Sequence, residues 1–130
     1  MKNILITGGA GFIGYGLSKN LVNKGFNVTI LDNLSKKIHS NRDKYNYLKQ
    51  ITKFIKGDIN SRKDWEKAIM DQDAIIHLAA ETGTGQSMYD IYNYTNVNIA
   101  STALMLDVLT NNNNSVSKIV LASSRSVYGE

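Results

Sequence analysis

The stretch Ile4-Leu5-Ile6-Thr7-Gly8-Gly9-Ala10-Gly11-Phe12-Ile13-Gly14 constrains the fold of this chain more than any other. A short apolar run stops at a glycine cluster, and a helical pattern begins at once. A parallel strand that turns sharply into a helix, brings its backbone close to a pyrophosphate and packs that helix tightly needs residues without a Cβ. Two spacings overlap, Gly9-x-Gly11-x-x-Gly14 and Gly8-x-x-Gly11-x-x-Gly14. A helix starting here offers free N–H groups and a positive dipole end to phosphates. Glycine-rich turns are common, so the context matters. A second apolar run, Phe26 to Leu31, ends in Asp32, 18 residues past Gly14. A carboxylate there accepts hydrogen bonds from a ribose. The stretch reads as a dinucleotide site.

The 130 residues suffice for one domain with a proper core. The net charge is +4, and Lys36, Lys37, Arg42, Lys44, Lys49, Lys53, Lys56, Arg62 and Lys63 fall in one region beside Tyr45, Tyr47 and Phe54. No nucleic-acid motif accompanies this charge, so it reads as a solvated face and no nucleic-acid partner is expected. The absence of cysteine excludes disulfides, thiolate nucleophiles and cysteine-held metals; no metal is expected. Met1-Lys2-Asn3 leads straight into the first strand, and no apolar run approaches the ~20 residues that span a bilayer. The expectation is a cytoplasmic protein without a membrane partner.

The first helix is expected from Gly11 to Lys24, with Phe12, Leu17, Leu21 and Val22 as its apolar stripe and Gly25 ending it. Gly16 weakens that helix, and close packing near the turn is its expected reason. Asn33 to Gln50 reads as a loop with one helical segment, Arg42 to Leu48. Lys53 to Lys56 forms a short strand closed by Gly57-Asp58-Ile59. Ser61-Arg62-Lys63-Asp64 has capping-box spacing and starts a helix ending near Met70 or Asp71. Ala74 to Ala80 is the fourth strand, its His77 read as a hydrogen-bonded core residue rather than a catalytic one. The polar loop Glu81 to Ser87 follows at the carboxyl end of that strand, where ligands of open α/β sheets sit. A long helix runs from Tyr89 to Leu109, facing inward with Tyr94, Val97, Ala100 or Ser101, Leu104 and Val108. Lys118 to Ala122 is the fifth strand. Alternation of strand and helix predicts an α/β, Rossmann-like, doubly wound parallel sheet in the order 3-2-1-4-5, ending after strand 5, in one domain over residues 1–130. Strand 5 is then an uncovered edge and a template for self-association.

Five ordered motifs carry a resemblance: Thr7 to Gly14, Leu31-Asp32-Asn33-Leu34, Gly57-Asp58-Ile59, His77-Leu78-Ala79-Ala80 with Asn98, and Ser123 to Gly129. Together they resemble the N-terminal part of an extended short-chain dehydrogenase/reductase, in the NAD-dependent nucleotide-sugar epimerase and dehydratase group. Within the group, Glu81 to Tyr89 and Ala122 to Ser126 most resemble the dTDP-L-rhamnose 4-epimerase type. The resemblance implies that Gly8, Gly11, Phe12, Ile13 and Gly14 hold the pyrophosphate of NAD. It places Asp32, Asn33 and Leu34 at the adenosine ribose, with Asp32 repelling a 2′-phosphate, and Asp58 and Ile59 around the adenine. Leu78, Ala79, Ala80 and Thr82 would line the nicotinamide half. Asn98 matches a family asparagine near the cofactor, although an ordinary helix-to-loop bond explains it equally, and Ser101 stands where the family usually has glycine. Thr84 and Ser126 would meet the nucleotide-sugar substrate, and the whole protein would be a homodimer.

Ser124 is the residue that the resemblance assigns to chemistry. Its hydroxyl would bond to the sugar C4 oxygen while a tyrosine phenolate takes the proton and hydride passes to NAD. Returning the hydride to the other face of the 4-keto sugar is epimerisation, and acid–base work of this kind contributes about 10²–10⁴ in rate. The family's catalytic Tyr-x-x-x-Lys is expected beyond Glu130. Tyr128 belongs to Val127-Tyr128-Gly129 instead, so these residues alone are expected to bind NAD without turning over substrate. The alternatives are a non-catalytic dinucleotide-binding regulatory module and a reductase on the same scaffold.

Overall fold

Five short apolar runs lie side by side as parallel strands: β1 (Asn3–Thr7), β2 (Asn27–Asp32), β3 (Lys53–Lys56), β4 (Ala74–His77) and β5 (Lys118–Leu121). Their order is β3-β2-β1-β4-β5, the expected one, with Ile6 opposite both Ile30 and Ile76. The chain therefore reverses its winding between β1 and β4, and that switch point opens a crevice at the carboxyl ends of the strands. This computed structural model describes residues 1–35 and 42–128, without the side chains of Arg42, Thr84, Arg125 and Ser126. Lys36, Lys37, Gly129 and Glu130 lie outside the described residues.

The helices are α1 (Phe12–Asn23), α2 (Arg42–Ile51), α3 (Arg62–Ala68), α4 (Thr84–Ser87), α5 (Ile91–Thr95) and α6 (Ser101–Asn111). Strand side chains alternate between the faces. Ile4, Ile6, Val28 and Ile30 pack with Leu48 of α2 and with Leu17 and Leu21 of α1. On the other face Leu5, Leu31, Ile55 and Ile75 pack with Trp65 of α3 and with Met105 and Val108 of α6. Fully burying side chains of this size contributes about 1.5–3 kcal/mol each, before conformational entropy is subtracted.

Several boundaries differ from the sequence expectation. Phe12 is 92% exposed and does not join the α1 stripe; Tyr15 packs there with Leu17, Leu21 and Val22. Gly16 has no close packing to explain it, since a Cβ added there would meet nothing within 4 Å. Ser61 caps α3 by accepting the Asp64 N–H, but the Asp64 carboxylate accepts from Asp58 rather than from Ser61, so the box is half made. The helix then stops at Ala68, short of Met70. β4 ends at His77, because the peptides after Leu78 turn out of the ladder, and Thr84–Ser87 coils into a turn of helix where a loop was expected. The long helix is interrupted by a wider, π-type turn at Asn96–Ala100. That turn brings Ser101 inward and leaves Ala100 exposed.

Candidate functional site

A cavity of about 570 Å³ lies at the carboxyl edge of the sheet, over the switch point. Its walls come from the glycine turn, the ends of β2 and β3, the segment after β4 and the residues after β5. A groove of about 610 Å³ at the opposite edge is lined by Asn3, Thr29 and Gln72 among others. It lacks a helix N-terminus, because the helices that reach that edge end there.

The turn from β1 to α1 is built for a close-approaching anion. Gly8 has φ +68°, and a Cβ on it would lie 2.7 Å from the Ala79 nitrogen. The Gly8 N–H donates to Leu31 C=O, and Gly8 C=O accepts from Gly11 N–H, which closes the turn. Gly8, Gly11 and Gly14 line the cavity together with Phe12 and Ile13. Gly9 instead faces Ile30, so the wider of the two spacings is the one that shapes the wall. At the start of α1, Gly11 provides no side-chain cap and the first turn carries no acidic residue. An uncapped helix N-terminus with free N–H groups suits a phosphate. The exposure of Phe12 and Ile13 (68%) has the same origin, for both stand at the mouth of the cavity.

Asp32 closes β2 with only 5% of its surface exposed. Its Oδ2 accepts the Ala10 N–H at 3.0 Å and its Oδ1 the Leu34 N–H at 2.8 Å. The carboxylate is thus aimed by the very turn that would hold the phosphates. Asn33 lines the wall and accepts the Ser35 N–H, whereas Leu34, at φ +56°, stands outside the wall. Asp58 and Ile59 follow β3, and α3 fixes both: Asp64 accepts the Asp58 N–H at 2.9 Å, and the Trp65 indole donates to Ile59 C=O at 2.7 Å.

Leu78, Ala79, Ala80 and Thr82 form the wall after β4. Beneath them the buried Thr7 hydroxyl accepts the Ala79 N–H at 3.2 Å and lies 2.7 Å from His77 Nδ1. His77 is thereby a hydrogen-bonded core histidine, as its apolar strand implied. Burial lowers its pKa, which favours the neutral imidazole, and Nδ1 shares a hydrogen bond with the Thr7 hydroxyl. Asn98 stands outside the wall; its amide accepts the Glu81 N–H at 2.9 Å and donates to Glu81 C=O at 3.0 Å. The helix-to-loop alternative describes it. Ser123 reaches the wall, while Ser124, one residue on, does not; its C=O accepts the Val127 N–H. For Thr84 and Ser126 the side chains lie outside the described atoms.

Tyr-x-x-x-Lys spacing occurs in the chain at Tyr15/Lys19 and Tyr45/Lys49, apart from the family's catalytic pair expected beyond Glu130. In both pairs the lysine ammonium lies over the tyrosine ring, at 5.6 and 5.3 Å. Neither pair lines the cavity. Glu81 opens the loop expected to meet a ligand and does reach the wall, whereas sequence reasoning missed Ser35, Asn60, Asn93 and Val97 as wall residues. A signal existed for Ser35 and Asn60, which directly follow the motifs at the carboxyl ends of β2 and β3. None existed for Asn93 and Val97, whose approach depends on how the helix after β4 is seated.

Residues 4–130 match the family described as NAD dependent epimerase/dehydratase. The dTDP-L-rhamnose 4-epimerase of Burkholderia thailandensis is 38% identical over 131 residues, covering 99% of this chain and 36% of that protein. A UDP-glucose-4-epimerase from Stenotrophomonas maltophila, solved with bound NAD and formylated UDP-arabinopyranose, superposes with a TM-score of 0.86 at 28% identity, covering 99% of this chain and 39% of that one. A double mutant of a dTDP-glucose 4,6-dehydratase from Streptomyces venezuelae, with NAD and DAU bound, gives 0.84 at 28% identity over 100% of this chain and 41% of that one. This chain therefore spans little more than a third of the relatives it matches. Across that span the glycine turn, the acid closing β2 and the five-stranded order all coincide with the match, and the chain belongs to the NAD-dependent epimerase/dehydratase family.

Proposed function

We propose that this chain is the NAD-holding portion of a cytoplasmic nucleotide-sugar 4-epimerase or dehydratase. The observation that carries the reading is the uncapped α1 N-terminus facing a cavity that a buried Asp32, oriented by the same turn, also lines. A dinucleotide needs an anion site and a ribose acceptor next to one another. Gly8, Gly11, Phe12, Ile13 and Gly14 would surround its pyrophosphate, and a Cβ at Gly14, 2.4 Å from Gly8 C=O, would push the helix off the turn that forms this site. Asp32 would meet the ribose hydroxyls, and its negative charge disfavours a 2′-phosphate. Asn33 would assist at the ribose, Asp58 and Ile59 at the adenine, and Leu78, Ala79, Ala80 and Thr82 at the nicotinamide half. NAD, when bound, supplies a hydride acceptor for transient oxidation at the sugar C4. Ser124, three residues beyond β5 and next to the wall residue Ser123, would donate its hydroxyl to the C4 oxygen of a sugar bound beside the cofactor.

Titration calorimetry of the chain with NAD and NADP tests the cofactor reading. NAD should bind at least tenfold tighter than NADP. Asp32→Asn should weaken NAD by roughly 10–100-fold, the worth of hydrogen bonds to a charged group, and narrow the preference. No heat with NAD, or an unchanged preference in the variant, would sink the reading. For the reaction, the full-length gene product should invert C4 of dTDP- or UDP-hexoses or remove water from them; inertness toward all of them would count against it.

A further inference from the structure

One turn before Asn98, on the same helix, Tyr94 reaches the loop that follows β4. Its hydroxyl lies 2.8 Å from Thr82 C=O and 3.0 Å from Gly83 C=O, so one phenolic proton serves two carbonyls. With Asn98 holding both backbone groups of Glu81, three successive residues of the loop are fastened to a single helix. Gly83 has φ +119° and ψ 102°, a conformation open to glycine, and a Cβ there would sit 3.3 Å from the Tyr94 oxygen. Thr82 and Gly83 are exposed, and the Gly83 C=O also accepts the Ser87 N–H at 3.2 Å, a bond within the following turn rather than one that ties the loop to another element. Yet Glu81 and Thr82 form part of the cavity wall, and the neighbours of Tyr94 on its helix, Asn93 and Val97, reach the same wall. The wide turn of the helix at Asn96–Ala100 follows at once, and such turns gather at functional sites.

We propose that Tyr94 is a positioning residue, holding the Thr82 and Gly83 carbonyls so that Glu81 and Thr82 keep the wall against the nicotinamide half of NAD. This rests on the cofactor placement proposed above. The adenosine half lies against Asp32, Asp58 and Ile59, which Tyr94 does not touch. Loss of the phenolic hydroxyl therefore loosens one end of the cavity only.

The test is Tyr94→Phe in the full chain, which keeps the ring and its packing. Affinities for NAD and for ADP, which fills only the adenosine end, are measured by calorimetry, and amide hydrogen exchange is followed without ligand. NAD should bind three- to tenfold more weakly, the usual worth of one such hydrogen bond. ADP should stay within twofold, and amides 82–87 should exchange faster. Asp32→Asn, by contrast, should weaken both ligands, which shows that the ADP arm responds. An NAD affinity within twofold of the unsubstituted chain, or equal losses for NAD and ADP, overturns the proposal, as does unchanged exchange in the loop. If the unsubstituted chain binds no NAD, the cofactor reading fails and takes this role with it. If it binds NAD and the variant binds it equally, only the role of Tyr94 fails.

Discussion

Gly14 and Gly16 lie two residues apart in α1, and replacing each by alanine should move stability in opposite directions. In a helix interior alanine is favoured over glycine by about 1 kcal/mol, because glycine loses more backbone freedom on folding. At Gly16 that gain comes alone: the site is exposed and a Cβ meets nothing within 4 Å. The unfolding entropy of a chain this long converts 1 kcal/mol into about 4 °C, so Gly16→Ala should melt about 4 °C higher. At Gly14 the same Cβ would stand 2.4 Å from Gly8 C=O and 2.6 Å from Gly9 Cα, both backbone atoms. Relief needs a shift of about 1 Å in a turn that is closed by hydrogen bonds, and against backbone atoms the overpacking cost falls in the upper part of its usual range, about 2–3 kcal/mol. After the helix gain is subtracted, Gly14→Ala should melt lower by about 4–7 °C, some 2–3 kcal/mol from its neighbour. Thermal melts followed by circular dichroism at 222 nm, roughly the helix minimum, measure both. A lower melting point for Gly16→Ala, or a Gly14→Ala chain within about 1 °C of the original, would refute the reasoning.

Two more expectations concern other parts of the sheet. Burial holds the His77 pKa below its ordinary value, so the unfolded chain takes up this proton more readily than the folded one. Stability should therefore fall as pH drops through the unfolded value near 6.5; urea midpoints at pH 7.5 and 5.5 check this, and His77→Gln should flatten that part of the dependence. The strand β5 is paired with β4 alone among the described strands, and Ile119, Val120 and Leu121 are 39%, 47% and 57% exposed. An apolar edge of this kind is a template for pairing between chains, so the apparent mass in size-exclusion should rise with concentration and Val120→Lys should abolish the rise. A monomer at every concentration would count against it.

The glycine turn was legible because each local signal there agrees with the others. An apolar strand, a loss of Cβ at the three positions nearest the crevice, a helical stripe and an acid at the end of the next strand all require the same geometry. What the letters did not decide was which glycine spacing faces the ligand, since Gly8 and Gly9 look alike and only the packing of Gly9 on Ile30 separates them. The placing of Phe12 failed for a related reason. Helical periodicity assigns it to the buried stripe, but the first turn of α1 projects past the sheet edge, where no strand remains to cover it. The half-made box at Ser61 went the same way: Asp64 has the right spacing, yet the Asp58 N–H offers a tertiary partner that outcompetes the local one.

The helix after β4 shows why a regular period cannot locate every inward residue. In the wide turn the Ser101 N–H reaches back five residues to Asn96 C=O rather than four to Val97. That leaves Val97 C=O without the Ser101 N–H, and the Ser101 hydroxyl donates to it instead; the Thr102 hydroxyl also donates to Asn98 C=O, at 3.1 Å. Serine at position 101 thus has a local purpose that a packing argument does not reveal. With its carbonyl answered in this way, the extra residue costs little. It turns Ser101, Met105 and Val108 onto the core while Tyr94 and Asn98 stay on the loop. A strictly α-helical run would place one set of contacts correctly and rotate the other away by roughly 100°. The wide turn is what lets one helix serve both the core and the wall of the site.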